Sequence, residues 1–307
     1  MFDLFLHAHS HSGGFWQQVW EAVLHALKDG LWSIPILFIA YLLMELLERS
    51  QKLNEGILHG YSRKAGPLLG GLLGIIPQCG ISGAAATLFS TGSVTVGTML
   101  AVFFATSDEM LPIMLSSLSG GSSLRLPGIL LILLSKALLG ILLGYLADLI
   151  LCRWIRSHKD IHSFCEREHC SCDEDEGNVF LSALKHTLKI VLMLIGVNFA
   201  LNLLFAFVGV EKLSGSVLSM PVVGELIAGL FGLIPNCSVS VVITESYLSG
   251  VLSLGGLFAG LLANGGMGLL VLFRTNKNFK ENLAITAVLY GLSVAAAIAV
   301  NLIAGLF

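Results

Sequence analysis

Charge is what this chain has least of. Only 12% of its 307 residues are Asp, Glu, Lys or Arg, while 55% are hydrophobic. Soluble domains carry roughly a quarter charged residues, so this composition excludes a water-soluble domain of the same length. No basic patch interleaved with aromatics is present, and a net charge of −3 gives nucleic acid no footing. The chain also has no His-Glu-x-x-His, Gly-x-Ser-x-Gly or Gly-x4-Gly-Lys-Ser run. Those absences argue against an intramembrane enzyme and against a self-contained ATP-driven pump. The N-terminal stretch MFDLFLHAHSHSGG has no basic region and no cleavage site, so targeting is expected to fall to the first spanning helix. Proline is scarce as well. Two of the seven prolines stand in one repeated motif.

What the chain does have is apolar helix. The mean hydropathy is +0.85, and stretches such as 30–47, 127–151 and 283–307 are long enough for about 30 Å of hydrocarbon. The expected fold class is an all-α polytopic membrane protein.

Residues 73–82 read LGIIPQCGIS, and 231–240 read FGLIPNCSVS, an interval of 158 (Pro77 to Pro235). At that interval Gly71, Gly74, Ile76, Cys79, Ser82, Gly92, Gly97, Ala101 and Ala105 meet Gly229, Gly232, Ile234, Cys237, Ser240, Gly250, Gly255, Ala259 and Ala263. HALK at 25–28 resembles HTLK at 186–189. The expected organisation is a His-containing tail (1–14), a first repeat (15–150), a loop (151–178) and a second repeat (179–307).

Charge placement orients the halves. Lys and Arg gather in 48–66, in 151–178 and in 274–281, and the positive-inside rule puts all three in the cytoplasm. Segments near 30–47, 67–90, 93–107, 108–119 and 124–150 then make five per half. An odd count inverts the second half, giving about ten transmembrane segments with both termini extracytoplasmic. Within each half the motif proline breaks a helix and frees carbonyls that only a cavity or protein neighbours can satisfy. Inverted repeats with broken helices place a transport site where the breaks meet. That brings Gln78, Cys79 and Ser82 towards Asn236, Cys237 and Ser240. The plain alternative is a packing kink with buried thiols as small hydrophobes.

Ionisable groups inside spans add to the site. Asp108 and Glu109 have no acidic counterparts in the second half, where only Asn264 and Met267 remain in the matching stretch, and Glu245 completes the candidate transport residues. Intramembrane acids are functional candidates by default, here as cation ligands or as a proton-coupling pair. Lys136 is a salt-bridge partner for one of the acids, and Asp148 and Glu225 lie near segment ends, where water can reach them. Carboxylate, amide, carbonyl and hydroxyl oxygens suit Mn²⁺, with the thiols adding tolerance for softer ions. Arsenite prefers three thiolates, and only Cys79 and Cys237 lie in spans. The loop HKDIHSFCEREHCSCDEDE offers His158, His162, Cys165, His169, Cys170 and Cys172. It reads as a transition-metal site or as a solvated linker. HAHSHS at 7–12 is a weak metal-holding tract or a frayed tail.

The paired Pro-Gln-Cys-Gly and Pro-Asn-Cys-Ser motifs, the five-plus-five pattern, the MFDLFLHA start and the His/Cys loop resemble the ten-helix heavy-metal exporter family. That family is related to the arsenical permeases, and its members carry manganese-transporter or arsenic-efflux labels. The resemblance covers almost the whole chain and implies metal or metalloid efflux across a bacterial plasma membrane. The expected function is a secondary transporter exporting a divalent cation, Mn²⁺ first, by ion exchange. An arsenical or oxyanion permease is the alternative, with helix N-termini holding an anion. No tightly bound cofactor is expected. The partners are the metal-ion substrate, the bilayer and, as an option, further copies of the chain.

Overall fold

The computed structural model describes residues 38–39, 55–76, 79–106, 110–119, 126–151, five positions between 184 and 196, and 222–304. Among these every regular element is an α-helix. In order they are α1 (Glu55–Gly74), α2 (Cys79–Ser90), α3 (Val96–Ala105), α4 (Met110–Ser119), α5 (Leu126–Leu151), α6 (Val223–Gly232), α7 (Cys237–Leu248), α8 (Leu254–Ala263), α9 (Met267–Thr275) and α10 (Phe279–Ala304). Among the described residues three stretches are long and apolar enough to cross a membrane: Leu126–Leu151, Leu254–Thr275 and Phe279–Ala304. The chain is a membrane-embedded helical protein.

Burial inverts the soluble pattern. On α5 the exposed side chains include Leu130, Leu131, Leu134, Leu138, Leu142 and Leu149, whereas Lys136 is 1% exposed. An apolar outer face with a polar group inside is what a hydrocarbon solvent selects. All ten residues of α3 are buried, as are nine of the ten in α8. These two helices are the axis around which the others pack.

Local chemistry sets the helix ends at the same interval of 158 residues. Thr95 Oγ1 accepts from Thr98 N at 3.1 Å, and Ser253 Oγ accepts from Gly256 N at 3.0 Å, the N-cap bond that satisfies an orphan amide. The preceding helices α2 and α7 end alike. Gly92 N donates to Phe89 O (2.9 Å) and Ser93 N to Leu88 O (3.0 Å); Gly250 N donates to Tyr247 O and Val251 N to Ser246 O, both at 3.0 Å. This is a Schellman stop, and it needs φ of 81° at Gly92 and 77° at Gly250. Glycine reaches that region without a Cβ penalty. Gly92→Ala and Gly250→Ala are each expected to cost about 1 kcal/mol. Reversible denaturation in mixed micelles reads that cost; Gly291→Ala, whose Cβ meets nothing within 4 Å, serves as the unstrained control and is expected to hold or gain stability.

Close glycine contacts give the chain directions. Cβ atoms added at Gly70 and Gly74 would meet Thr98 O and the Ala105 Cβ, each at 2.6 Å, so α1 runs parallel to α3. Ser82 and Phe103 both border Gly268, and the short turn after Ser90 joins α2 to α3, so those two are antiparallel. The chain therefore reverses between α1 and α2. In the second half Gly232 borders Gly260 and Ala263, Gly255 borders Glu225, and Gly260 borders Ile243. By the same reasoning α6 is parallel to α8, and α7 is antiparallel to it. The sequence expectation of one through-running segment at 67–90 is thus corrected. α1 ends at Gly74 and α2 starts at Cys79, so the two helices form a hairpin rather than one kinked span.

A second correction follows. α8 begins beside Asn301, while Asn276, just past α9, exchanges two 2.7 Å hydrogen bonds with Asn282. From Asn282 to Asn301 is 19 residues of α10, roughly 28 Å. α8 and α9 are therefore two pieces of one interrupted course along α10. α3 starts beside Asp148 and ends beside Gly140, only part of the way along α5, so α3 by itself does not run the length of that helix.

Candidate functional site

Two ends of the protein can be told apart by their carboxylates. At one, Asp148 of α5 caps α3: Gly97 N donates to Oδ1 at 2.7 Å and Thr95 Oγ1 to Oδ2 at 2.8 Å. A carboxylate at a helix N-terminus satisfies orphan amides and meets the positive end of the dipole. Ser90 and Thr275, whose hydroxyls lie 2.6 Å apart, belong to this end. At the other, Asn301 Nδ2 donates to Glu225 Oε1 at 2.7 Å beside the start of α8. Glu225 is 1% exposed, so the expectation that water reaches it is corrected. Gly255 and α10 close over it, and Oε2 finds no partner among the described residues.

Halfway between the ends the interruptions converge. The first hairpin tip adjoins the end of α3 through Gly74 and Ala105, and the second adjoins the end of α8 through Gly232, Gly260 and Ala263. Phe103 bridges the two halves: Cβ atoms at Gly265 and Gly268 would lie 3.1 Å and 2.5 Å from its ring. Between α8 and α9, Asn264 Oδ1 accepts from Gly266 N at 2.9 Å, and Gly266 has φ of 52°. Its side chain thereby holds the broken backbone open in a geometry only glycine takes easily. At the end of α3, Thr106 N and Oγ1 both donate to Val102 O (2.9 Å and 2.6 Å). The Thr106 carbonyl accepts from Lys136 Nζ.

Of the residues expected at the site, Ser82, Asn236, Ser240 and Asn264 are buried, at 0%, 1%, 2% and 4% exposure; Asn236 and Asn264 stand at breaks between helices, and Ser82 and Ser240 in the first turns of α2 and α7. Glu245 is set apart. It is exposed on α7, eight residues or roughly 12 Å along the helix from Cys237. Cys79 and Cys237 are the first residues of α2 and α7, and their side chains lie outside the described residues. So do Gln78, Asp108, Glu109 and the whole set His158, His162, Cys165, His169, Cys170 and Cys172. Among the described residues no group of three or more His, Cys, Asp or Glu could hold a metal ion.

Thr106 and Lys136 were not among the expected site residues. Lys136 had a visible signal, since Lys136 and Asp148 are the only charged residues within the apolar run of α5. Thr106 had none, because its contribution is a main-chain carbonyl. The chemistry available at the centre is a buried set of hydroxyls, amides and helix-end carbonyls with one ammonium.

The fold and site therefore define a helical membrane protein with a polar interior. Comparison with protein-family models, with curated proteins and with solved structures finds no match for this chain.

Proposed function

We propose that the chain is a secondary active transporter that exports a divalent metal cation, Mn²⁺ first, from the cytoplasm of a bacterium by ion exchange. In this reading α1–α5 and α6–α10 are two copies of one five-helix unit inserted in opposite senses. The observation that carries the reading is the meeting of four backbone interruptions, two from each copy, around buried Ser82, Thr106, Asn236, Ser240 and Asn264. In hydrocarbon, non-helical backbone is tolerated only where it is buried in protein or lines a cavity, and carriers place their substrate at such interruptions. Hydroxyl, amide and carbonyl oxygens are ligands for hard or borderline cations such as Mn²⁺.

Sidedness follows from charge. Exposed Arg274, Lys277 and Lys280 lie at the Asp148 end, and the start of α1 with Arg63 and Lys64 leads into it. The positive-inside rule makes that end cytoplasmic. Hairpins that return to their own side leave two crossings between 48–66 and 151–178, so the even count that the charges require is kept.

A second reading, an oxyanion or arsenical permease, is favoured by one observation, the buried Lys136 ammonium. Proteoliposomes loaded in parallel with Mn²⁺, Zn²⁺ and arsenite separate the two. Mn²⁺ movement is expected, and arsenite movement without Mn²⁺ would overturn the first reading. Asp108→Ala and Glu109→Ala are each expected to bring Mn²⁺ transport to background while leaving an uncharged arsenical largely unaffected, because only a charged cargo needs a carboxylate counter-charge in the membrane.

A further inference from the structure

Lys136 sits in the middle of the 26-residue α5, 1% exposed, with its Nζ on the Thr106 carbonyl. That carbonyl ends α3, so it belongs to the negative pole of a helix that stops inside the protein. Gly140, one turn further along α5, packs on Ala105 N at 3.0 Å and Ala105 Cβ at 3.1 Å from its added Cβ, which fixes the lysine's level at the interruption. The second half supplies an internal control. α5 and α10 are both 26 residues long, and Asp148 and Asn301 border the equivalent glycines Gly97 and Gly255. In that register (126 to 279, an interval of 153) the counterpart of Lys136 is Leu289, itself 0% exposed. The same packing is thus built without an ammonium. Burying one is costly even where it is hydrogen-bonded, so Lys136 has a purpose other than filling space.

We propose that Lys136 is a tethered counter-cation of the transport site: its ammonium occupies the interrupted end of α3 while the site is empty and competes there with the transported cation. The proposal rests on the cation-transport reading. A divalent ion arriving at the helix-end carbonyls meets a fixed positive charge a few ångströms away, and even at an effective dielectric of about 20 that repulsion is large. Cargo therefore binds by displacing the ammonium, and the ammonium returns when cargo leaves. The carrier needs no second soluble cation to neutralise its empty site.

The test is equilibrium Mn²⁺ binding to the purified full-length protein, read from the electron paramagnetic resonance signal of free Mn²⁺. Lys136→Leu and Lys136→Gln are expected to bind Mn²⁺ roughly tenfold or more tightly than wild type, and Lys136→Arg, which keeps the charge, about as tightly as wild type. Size-exclusion profiles report folding; should the leucine variant not fold, the glutamine variant carries the comparison. Unchanged or weaker binding in the folded neutral variants overturns the proposal while leaving cation transport standing. A wild-type protein that binds no Mn²⁺ overturns both. Arsenate binding by wild type that disappears in the neutral variants also overturns it, in favour of an anion site.

Discussion

A leucine in place of Gly232 is expected to abolish recovery of monodisperse protein in detergent. An added Cβ at Gly232 would stand 2.2 Å from Gly260 O, 3.0 Å from Gly260 C and 3.1 Å from the Ala263 Cβ. Two of these atoms are backbone and cannot rotate away, so α6 and α8 must separate. Their separation would undo the junction between the second hairpin tip and the end of α8, which is half of the central site. Gly232→Ala tests the same contact more gently. Overpacking costs about 1–3 kcal/mol, and alanine's better helix propensity returns up to about 1 kcal/mol, so a net loss is expected in mixed-micelle denaturation. Wild-type stability in the alanine variant would show that the two backbones are not in contact.

Asp148→Ala is expected to destabilise by about 2 kcal/mol, since it removes two hydrogen bonds to an ionised group and leaves Gly97 N and the Thr95 hydroxyl to find other partners. The partial exposure of Asp148 keeps the cost below that of a fully buried carboxylate, because water can replace some of the lost bonds. Asp148→Asn should recover part of the loss. Its amide oxygen still accepts from Gly97 N, and the Thr95 hydroxyl can turn to accept from the amide nitrogen. Asn301 already fills the corresponding place in the second half. Equal stability of the alanine variant and wild type, in the same measurement, would remove Asp148 from the structural account of the α3 N-terminus.

Much of this architecture could be read from residues alone. Low charge and long apolar runs gave the helical membrane class, and the interval of 158 paired Cys79 with Cys237 and Gly92 with Gly250, though it did not reveal the helix starts and glycine turns found there. Ser82, Asn236, Ser240 and Asn264 were legible as polar groups inside apolar segments, and their burial is what the structure adds. What could not be read was direction. A proline in an apolar run has the same sequence signature whether the helix kinks onward or folds back, and only contacts such as Gly74 on Ala105 separate the two. Glu225 was misjudged for a related reason. Its distance along the chain from a segment end is short, yet Gly255 and α10 close over it in space. The Thr106 carbonyl was invisible in principle, since every residue has one and only the position of the helix end brings it to Lys136.

The reversals between α1 and α2 and between α6 and α7 make both hairpins topologically silent. Each returns towards the end from which it came, so lengthening, shortening or retuning a tip changes the lining of the centre without altering the direction of the helix that follows. In the transporter reading, sequence change at the tips is thereby decoupled from membrane sidedness.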